Sequence, residues 1–286
     1  MVPFDRQKFA SSVRFFTMRK SGLLFVCSVL LVSSASAEER DQNAARFTEN
    51  AMKLRQSILF KVEPVTEHNQ QLGHTDVKHP WHEGIVTTVF WIGENTGANN
   101  PVPNRSSAWD NNWARSFGGS DAPSVGERRG FIPAKFVPRQ NPFYLALPYN
   151  DVSGGRTKAE AAKIIPWFNE AFVKSGQTVL RGRWVAIRKD DRICYAQWED
   201  VGPFRSDHWQ YVFGTDRPMS NLNRGAGLDV SPAVRDYLKL GSTDVTDWQF
   251  VDFAEVAPGP WTLYGDNNTF VIDRRKREQD FVKRAP

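Results

Sequence analysis

WVAIRKDDRICYAQWEDVGPF, residues 184–204, and GLDVSPAV, residues 227–234, are the two stretches that decide the fold of this chain. The longer one predicts a hairpin, because β-branched and aromatic residues fill both arms around a charged turn at residues 189–191. In the shorter one, Ser231 is suited to cap a helix over Pro232–Leu240, with proline at the first helical position. A D-x-G-P-F turn therefore follows a strand, and a G-x-D-x-S segment opens a helix.

Strand signals dominate the surrounding sequence. The predicted strands are Gly84–Trp91, Pro142–Leu147, Trp184–Arg188, Ile193–Trp198 and Trp248–Phe253. Helical patterns are confined to Pro232–Leu240, which Gly241 should end, and to Lys158–Val173, which Pro166 should break. Short strands with one helix before the last strand predict a mainly β closed barrel with decorating helices and long loop insertions, rather than a doubly wound sheet.

The first 37 residues have the pattern of a secretory signal peptide. Two basic residues precede the apolar run Leu23–Val32, and an A-x-A cleavage site follows at Ala35–Ala37. Ten helical residues rise only about 15 Å, half of a bilayer core, so no membrane span is expected after cleavage. Residues 18–37 are a compact signal by themselves, which favours Met18 as the true start. The mature protein is therefore predicted to be secreted or periplasmic.

The remaining chain divides by composition into three parts. Residues 38–80 are polar and are interpreted as a linker or arm. Residues 81–268 hold all ten tryptophans and form the predicted barrel domain, and residues 269–286 are a charged tail, which we expect to fray from Ile272 to Pro286. A chain of 286 residues can bury a core of this size without disulfides.

Charge and cysteine content argue against a nucleic-acid partner and against a disulfide. The whole chain carries a formal charge of +5, but residues 1–37 hold five basic groups and one acid. The rest therefore has 32 basic and 31 acidic groups, which gives no electrostatic reason to expect nucleic acid. Once the signal is removed only Cys194 remains, so no intramolecular disulfide can form.

The two opening motifs together resemble the double-psi β-barrel of rare lipoprotein A and, more distantly, that of expansins. The resemblance extends over residues 84–256 and is strongest over 184–251. The matching positions are Asp200, Gly202, Pro203 and Phe204 in a family pattern N-D-R-G-P-F, and Asp229 and Ser231 in I-D-L-S-x-A-A. It implies a six-stranded double-psi barrel with a surface groove for polysaccharide. Bacterial members bind peptidoglycan glycan strands, and some are lytic transglycosylases.

The resemblance also implies a site residue, because Asp229 falls at the place of the family's catalytic aspartate. Asp200, on the neighbouring motif, is in a position to share its proton or to position the sugar. The family's early T-A-S-G-E motif, which carries a second acid, is missing here, although Glu94 and Asp110 lie in the right region. The insertion Arg205–Leu228 between the two motifs is longer than the family pattern, and Glu199 and Val201 replace its Asn and Arg.

A lytic transglycosylase can work with one carboxylic acid, because the 6-hydroxyl of the sugar attacks and no water has to be activated. Such an acid must stay protonated near neutral pH, so burial has to raise its pKa. Asp229 lies between Leu228 and Val230, although a following helix N-terminus favours the anion. The alternatives are that Asp229 binds loop amides and Asp200 is a turn residue, in a non-catalytic, expansin-like glycan-binding module or a structural envelope protein.

Two polar segments carry aromatic residues that suit sugar stacking. Residues 93–136 form a long loop with Trp109 and Trp113, which either bind sugar or fold back as a lid on the barrel. The insertion brings His208, Trp209 and Tyr211 between the motifs, as a groove wall or as a packed loop.

No metal or cofactor is predicted. The spacing of His74, His79 and His82 with Glu83 fits no tight metal site. Cys194 lies in the middle of a strand, where a buried, inert thiol is favoured over a nucleophile paired with His208.

Overall fold

The structure is a computed structural model that describes residues 79–97, 100 and 102–284. The predicted signal peptide and nearly all of the predicted linker lie outside these residues. No helix in the described part of the chain combines the length and apolar character needed to cross a membrane.

Six strands close into a barrel in the order β1-β10-β7-β8-β4-β9. In chain order the strands are β1 His82–Val89, β2 Arg128–Arg129, β3 Ile132–Pro133, β4 Tyr144–Leu147, β5 Val152–Ser153, β6 Arg156–Thr157, β7 Trp184–Lys189, β8 Arg192–Val201, β9 Leu228–Val230 and β10 Thr243–Val251. The pairs β1–β9 and β4–β8 are parallel and the other four barrel pairs are antiparallel. This closed mixed barrel confirms the predicted fold class and is compatible with a double-psi barrel.

Short helices decorate the barrel. They are α1 Trp113–Phe117, α2 Ala161–Ile164, α3 Phe168–Ala171, α4 Trp209–Val212, α5 Pro232–Leu238 and α6 Thr269–Arg284. Pro166 separates α2 from α3, as predicted. The Oγ of Ser231 accepts a hydrogen bond from the backbone N–H of Val234 at 3.3 Å and caps α5. This helix ends before Gly241, because Lys239 already adopts a left-handed conformation with φ of 59°.

The C-terminal tail forms the helix α6, whose first turns are held on the barrel, and fraying of its end stays a prediction. The first residues of this charged segment are apolar and pack on the barrel, and Val271 is buried. Phe270 packs against Trp184, with ring centroids 5.7 Å apart, and its backbone N–H donates to the Oδ1 of Asn268. Arg274 donates to the carbonyl of Thr262 at 3.0 Å. These contacts hold the first turns of the helix on the barrel, and a composition argument does not detect them.

Two hydrophobic clusters share the strand β4. Alternation along the strand sends Leu145 and Leu147 into the barrel and Tyr144 and Ala146 to its outer face. On that outer face the second cluster forms, with Trp113 and Phe117 of α1 and with Phe90 and Ile92 after β1. The long loop is therefore held against the barrel, and it covers the face on which the candidate site lies.

Candidate active site

The register of the barrel aligns four residues on its outer face. Thr88 pairs with Asp229, Asp229 with Ala146, and Ala146 with Asp200. Because neighbouring strands lie about 4.8 Å apart, the Cα atoms of Asp229 and Asp200 are about 10 Å apart on either side of Ala146. Ala146, the residue between them, has a small side chain.

A bulge in β8 places Asp200 on this face. Leu145 pairs with Trp198, but the next residue, Ala146, pairs with Asp200, so Glu199 is the extra residue. In a regular strand Asp200 would share the inward direction of Trp198. The bulge at Glu199 therefore brings Asp200 of the first motif to the same face as Asp229 of the second.

Asp229 is partly exposed between the buried residues Leu228 and Val230. Its Oδ1 accepts a hydrogen bond from the Oγ1 of Thr88. A Cβ placed on Gly202 would lie 3.9 Å from its Oδ2, so the turn after β8 lies close to this carboxyl group. Burial raises the pKa of Asp229 to about 6, although the Thr88 hydrogen bond opposes the shift.

Asp200 is more deeply buried, with 9% of the residue exposed. Its Oδ1 accepts two hydrogen bonds of 2.8 Å, from the backbone N–H groups of Ala108 and Val201. Burial nevertheless raises the pKa of Asp200 to about 7, and the charges of Asp229 and Glu199 add to this effect. The bond from Ala108 also ties the long loop to the barrel.

Glu94 is a third acid, close enough to Asp229 for the charge of Asp229 to affect it. It follows β1, and its Oε2 accepts a hydrogen bond from the Nδ2 of Asn104 at 2.9 Å. Burial raises the pKa of Glu94 to about 7, and the nearby charge of Asp229 raises it further. We call Glu94, Asp200 and Asp229 the carboxylate cluster.

Asp110, the other acid in the predicted region, is held in an ion pair and hydrogen bonds that stabilise the loop. Partial burial would raise its pKa, but a hydrogen bond from the backbone N–H of Asn112 and the charge of Arg181 outweigh it, so the pKa is lowered. Arg181 lies 3.3 Å from the Oδ2 of Asp110 and 2.9 Å from the Oε2 of Glu199. This network fixes the loop beside the cluster, and of the two acids Glu94 and Asp110 it is Glu94 that keeps a proton near neutral pH.

The two loop tryptophans have different environments. Trp109 is partly exposed, its Nε1 donates to the Oδ1 of Asn150 at 3.0 Å, and its ring meets Trp198 edge-on at 5.8 Å. It directly follows Ala108, which binds Asp200, so it lies beside the cluster. Trp113 is completely buried in the second hydrophobic cluster. Trp113 therefore has no surface on which a sugar could stack and acts as part of the lid.

The first half of the insertion is packed on the barrel. His208 and Tyr211 are buried, with rings 5.7 Å apart, and Trp209 is partly buried against the core. The hydroxyl of Tyr211 accepts a 2.7 Å hydrogen bond from the Nε1 of Trp248. Because His208 and Tyr211 are buried, they have no surface for a ligand. Of the two alternatives for the insertion, this half is therefore a packed loop and not a groove wall.

Phe204 is a candidate that the sequence argument matched to a motif without assigning a role. It is 40% exposed and has φ of 58°, a left-handed conformation that bulky residues rarely adopt. Its backbone N lies 3.9 Å from a Cβ placed on Gly202, the residue that faces Asp229. A strained, exposed aromatic residue beside the cluster is a candidate surface for ligand stacking.

The weaker sequence candidates have structural roles. His82 stacks on Trp248 with centroids 4.1 Å apart, and His79 is buried against Trp167. Over the described residues, no three or more His, Cys, Asp or Glu side chains are placed to hold a metal ion. His74 lies outside those residues. Cys194 is fully buried, and burial raises the pKa of its thiol well above the usual value, as for an inert core cysteine.

Known proteins do not supply a relative: no family model, no curated protein and no solved structure matches this chain. The closed barrel and the carboxylate cluster on its outer face are the features from which a function can be argued.

Proposed function

We propose that this chain is an exported cell-envelope protein that binds peptidoglycan or a related polysaccharide and cleaves its glycosidic bonds as a lytic transglycosylase does. The observation that carries the proposal is the carboxylate cluster, in which burial raises the pKa of all three acids. Acids that keep protons near neutral pH are the groups that glycosidic cleavage requires.

The acid/base role is assigned to Asp229 together with Glu94. The pKa of Asp229 is about 6 and that of Glu94 about 7, and the charge of Asp229 contributes to the latter shift. At a pH between about 6 and about 7, Asp229 and Glu94 together therefore bind about one proton. Asp200, fixed by Ala108 and Val201, positions the sugar and adds negative charge when it ionises.

The reaction needs no activated water. The protonated acid gives its proton to the glycosidic oxygen while the bond from that oxygen to C1 breaks, and the neighbouring carboxylate stabilises the positive charge on the ring. The 6-hydroxyl of the same sugar then forms a bond to C1 and returns its proton to the carboxylate pair. The products are a 1,6-anhydro sugar end and a free hydroxyl on the leaving sugar.

Two further features support a polysaccharide substrate. Trp109 and Phe204 expose aromatic surface beside the cluster, and such surfaces stack on sugar rings. The predicted signal peptide would deliver the protein to the envelope, where the glycan is.

The test is to incubate the mature protein with purified sacculi and to measure 1,6-anhydro products. Asp229→Asn and Glu94→Gln should each lower product release about 100-fold or more, because both remove proton transfer. Glu127→Gln is the matched control, since Glu127 is an exposed acid in the same long loop.

Three results would count against the assignment. Equal activity of Asp229→Asn and wild type would exclude Asp229 from the chemistry. Binding of wild type to sacculi without anhydro products would favour the non-catalytic, expansin-like module. Absence of binding would favour a structural envelope protein.

A further inference from the structure

The second half of the insertion lines an open cleft of about 360 Å³. Its polar lining consists of Arg217, Ser220, Asn221 and Arg224, and no acidic side chain lines it. Two of these four side chains are cationic guanidinium groups and Ser220 adds a hydroxyl donor, whereas the amide of Asn221 already donates to the carbonyls of Met219 and Ala226. The lining therefore favours an anion.

The two arginines differ in how they are held. Arg217 is fixed to β1, because its Nη1 donates to the carbonyl of Glu83 at 2.5 Å and its Nη2 to that of Gly84 at 2.6 Å. Arg224 is exposed, and its side chain forms no hydrogen bond or ion pair with any residue that the structure describes. A fixed charge beside an unpaired one is the arrangement expected of a site that a ligand completes.

A hydrogen-bonded loop of the backbone holds Arg224 at the surface. The Oδ1 of Asn221 accepts backbone hydrogen bonds from Asn223, Gly225 and Ala226 at 3.0–3.1 Å, which closes a tight loop. Within this loop Arg224 has φ of 59°, a conformation unusual for a residue with a side chain.

The cleft continues the face that carries the carboxylate cluster. Val86 lines the cleft, and two residues further along β1 Thr88 binds Asp229, so the two places are about 7 Å apart on one face of the strand. On the neighbouring strand the backbone N–H of Gly227, two residues before Asp229, donates to the carbonyl of Val86 at 3.0 Å. A disaccharide spans such a distance.

We propose that this cleft is an anion subsite that binds a carboxylate carried on a sugar of the polymer, while a neighbouring glycosidic bond lies at the carboxylate cluster. The inference rests on the proposed function and names the substrate class, an acidic glycan. The charges of the cluster repel an anionic substituent, and the arginines attract it, so the two sites together fix the register of the chain.

The experiment compares binding to two forms of one glycan. Peptide-free glycan strands are used as prepared and after carbodiimide amidation, which removes their carboxylate charge, and chitin oligosaccharides serve as a neutral reference. We expect the wild type to prefer the charged strands by about three- to fivefold, the value of one partly exposed ion contact. Arg224→Gln should abolish this preference, and Arg277→Gln, at an exposed arginine of α6, should retain it.

Each contrary result has a distinct meaning. Equal binding of charged and amidated strands by the wild type would overturn the subsite and leave the proposed function standing. An unchanged preference in Arg224→Gln would do the same. Binding of inorganic phosphate that depends on Arg224, without discrimination between the strands, would identify a free-anion site and also overturn the proposal. Failure to bind any of the glycans would refute the proposed function and the subsite with it.

Discussion

Asp200 illustrates how a single buried acid couples function to stability. The residue is only 9% exposed, and its carboxyl group has two backbone donors but no ion pair with any residue that the structure describes. Its charged form is therefore poorly solvated, and a neutral amide would have the same oxygen acceptor at lower cost. Residues of this kind favour chemistry at the expense of the folded state.

Asp200→Asn should stabilise the protein at pH 8 but not at pH 4. An unfolded aspartate titrates near 4, whereas burial raises the pKa of folded Asp200 to about 7. The folded state binds the proton of Asp200 more tightly than the unfolded state does. The stabilisation that protonated Asp200 gives to the folded state is therefore complete below pH 4 and is lost as the pH rises through 7. We expect the variant to gain about 1–3 kcal/mol in free energy of unfolding at pH 8, measured with urea.

The control for this prediction is Asp191→Asn, at an exposed aspartate in the turn between β7 and β8. It should change stability little at either pH. A loss of stability in Asp200→Asn at pH 8 would show that the ionised carboxylate is favoured by its surroundings.

At the scale of elements, two non-glycine residues end a strand and a helix in the left-handed conformation. Phe204 follows β8 with φ of 58°, and Lys239 follows α5 with φ of 59°. Each costs about 1–2 kcal/mol relative to an ordinary backbone conformation. At Lys239 this conformation closes a helix end, whereas Phe204 lies in the turn after β8 with its aromatic side chain 40% exposed.

Replacement of these two residues by glycine separates strain from function. Phe204→Gly and Lys239→Gly should both retain or slightly raise the free energy of unfolding, because glycine adopts this conformation without a steric penalty. Only Phe204→Gly should weaken binding to sacculi, which a pull-down would measure. Equal binding by the two variants would remove Phe204 from the proposed stacking surface.

At the scale of the described molecule, Trp198 connects the core to the site. It is fully buried inside the barrel, and its Nε1 donates to the carbonyl of Asp200 at 2.7 Å. Its ring contacts Trp109 at 5.8 Å and Phe250 at 5.8 Å. The orientation of Asp200 and Trp109 therefore depends on the packing of the core.

Trp198→Ala should lower the free energy of unfolding by about 3–5 kcal/mol, because it removes a large buried side chain and leaves a cavity. Denaturant unfolding measures the loss. Leu222→Ala, at a residue that is 75% exposed, should stay within about 0.5 kcal/mol of the wild type. A loss below 1 kcal/mol for Trp198→Ala would mean that the barrel interior repacks freely.

The strands with long β-branched and aromatic runs were predictable, and so were the hairpin β7–β8 and the break at Pro166. The strand β9 was not, because three residues carry too little periodicity, although it closes the barrel between β1 and β4. Asp200 and Asp229 were found as motif residues. Trp113 and Tyr211 have aromatic side chains in polar segments, and no local pattern distinguishes a buried ring from an exposed one.

The sequence by itself determined the class of fold, since alternation, turn residues and caps act over a few neighbouring positions. Only the tertiary structure decided which acids meet. The bulge at Glu199 and the pairing of β4 with both β8 and β9 depend on residues that lie far apart in the chain. Burial and the charge of Asp229 raise the pKa of Glu94, whereas hydrogen bonds and the charge of Arg181 outweigh burial at Asp110 and lower its pKa, so the two acids of this region differ.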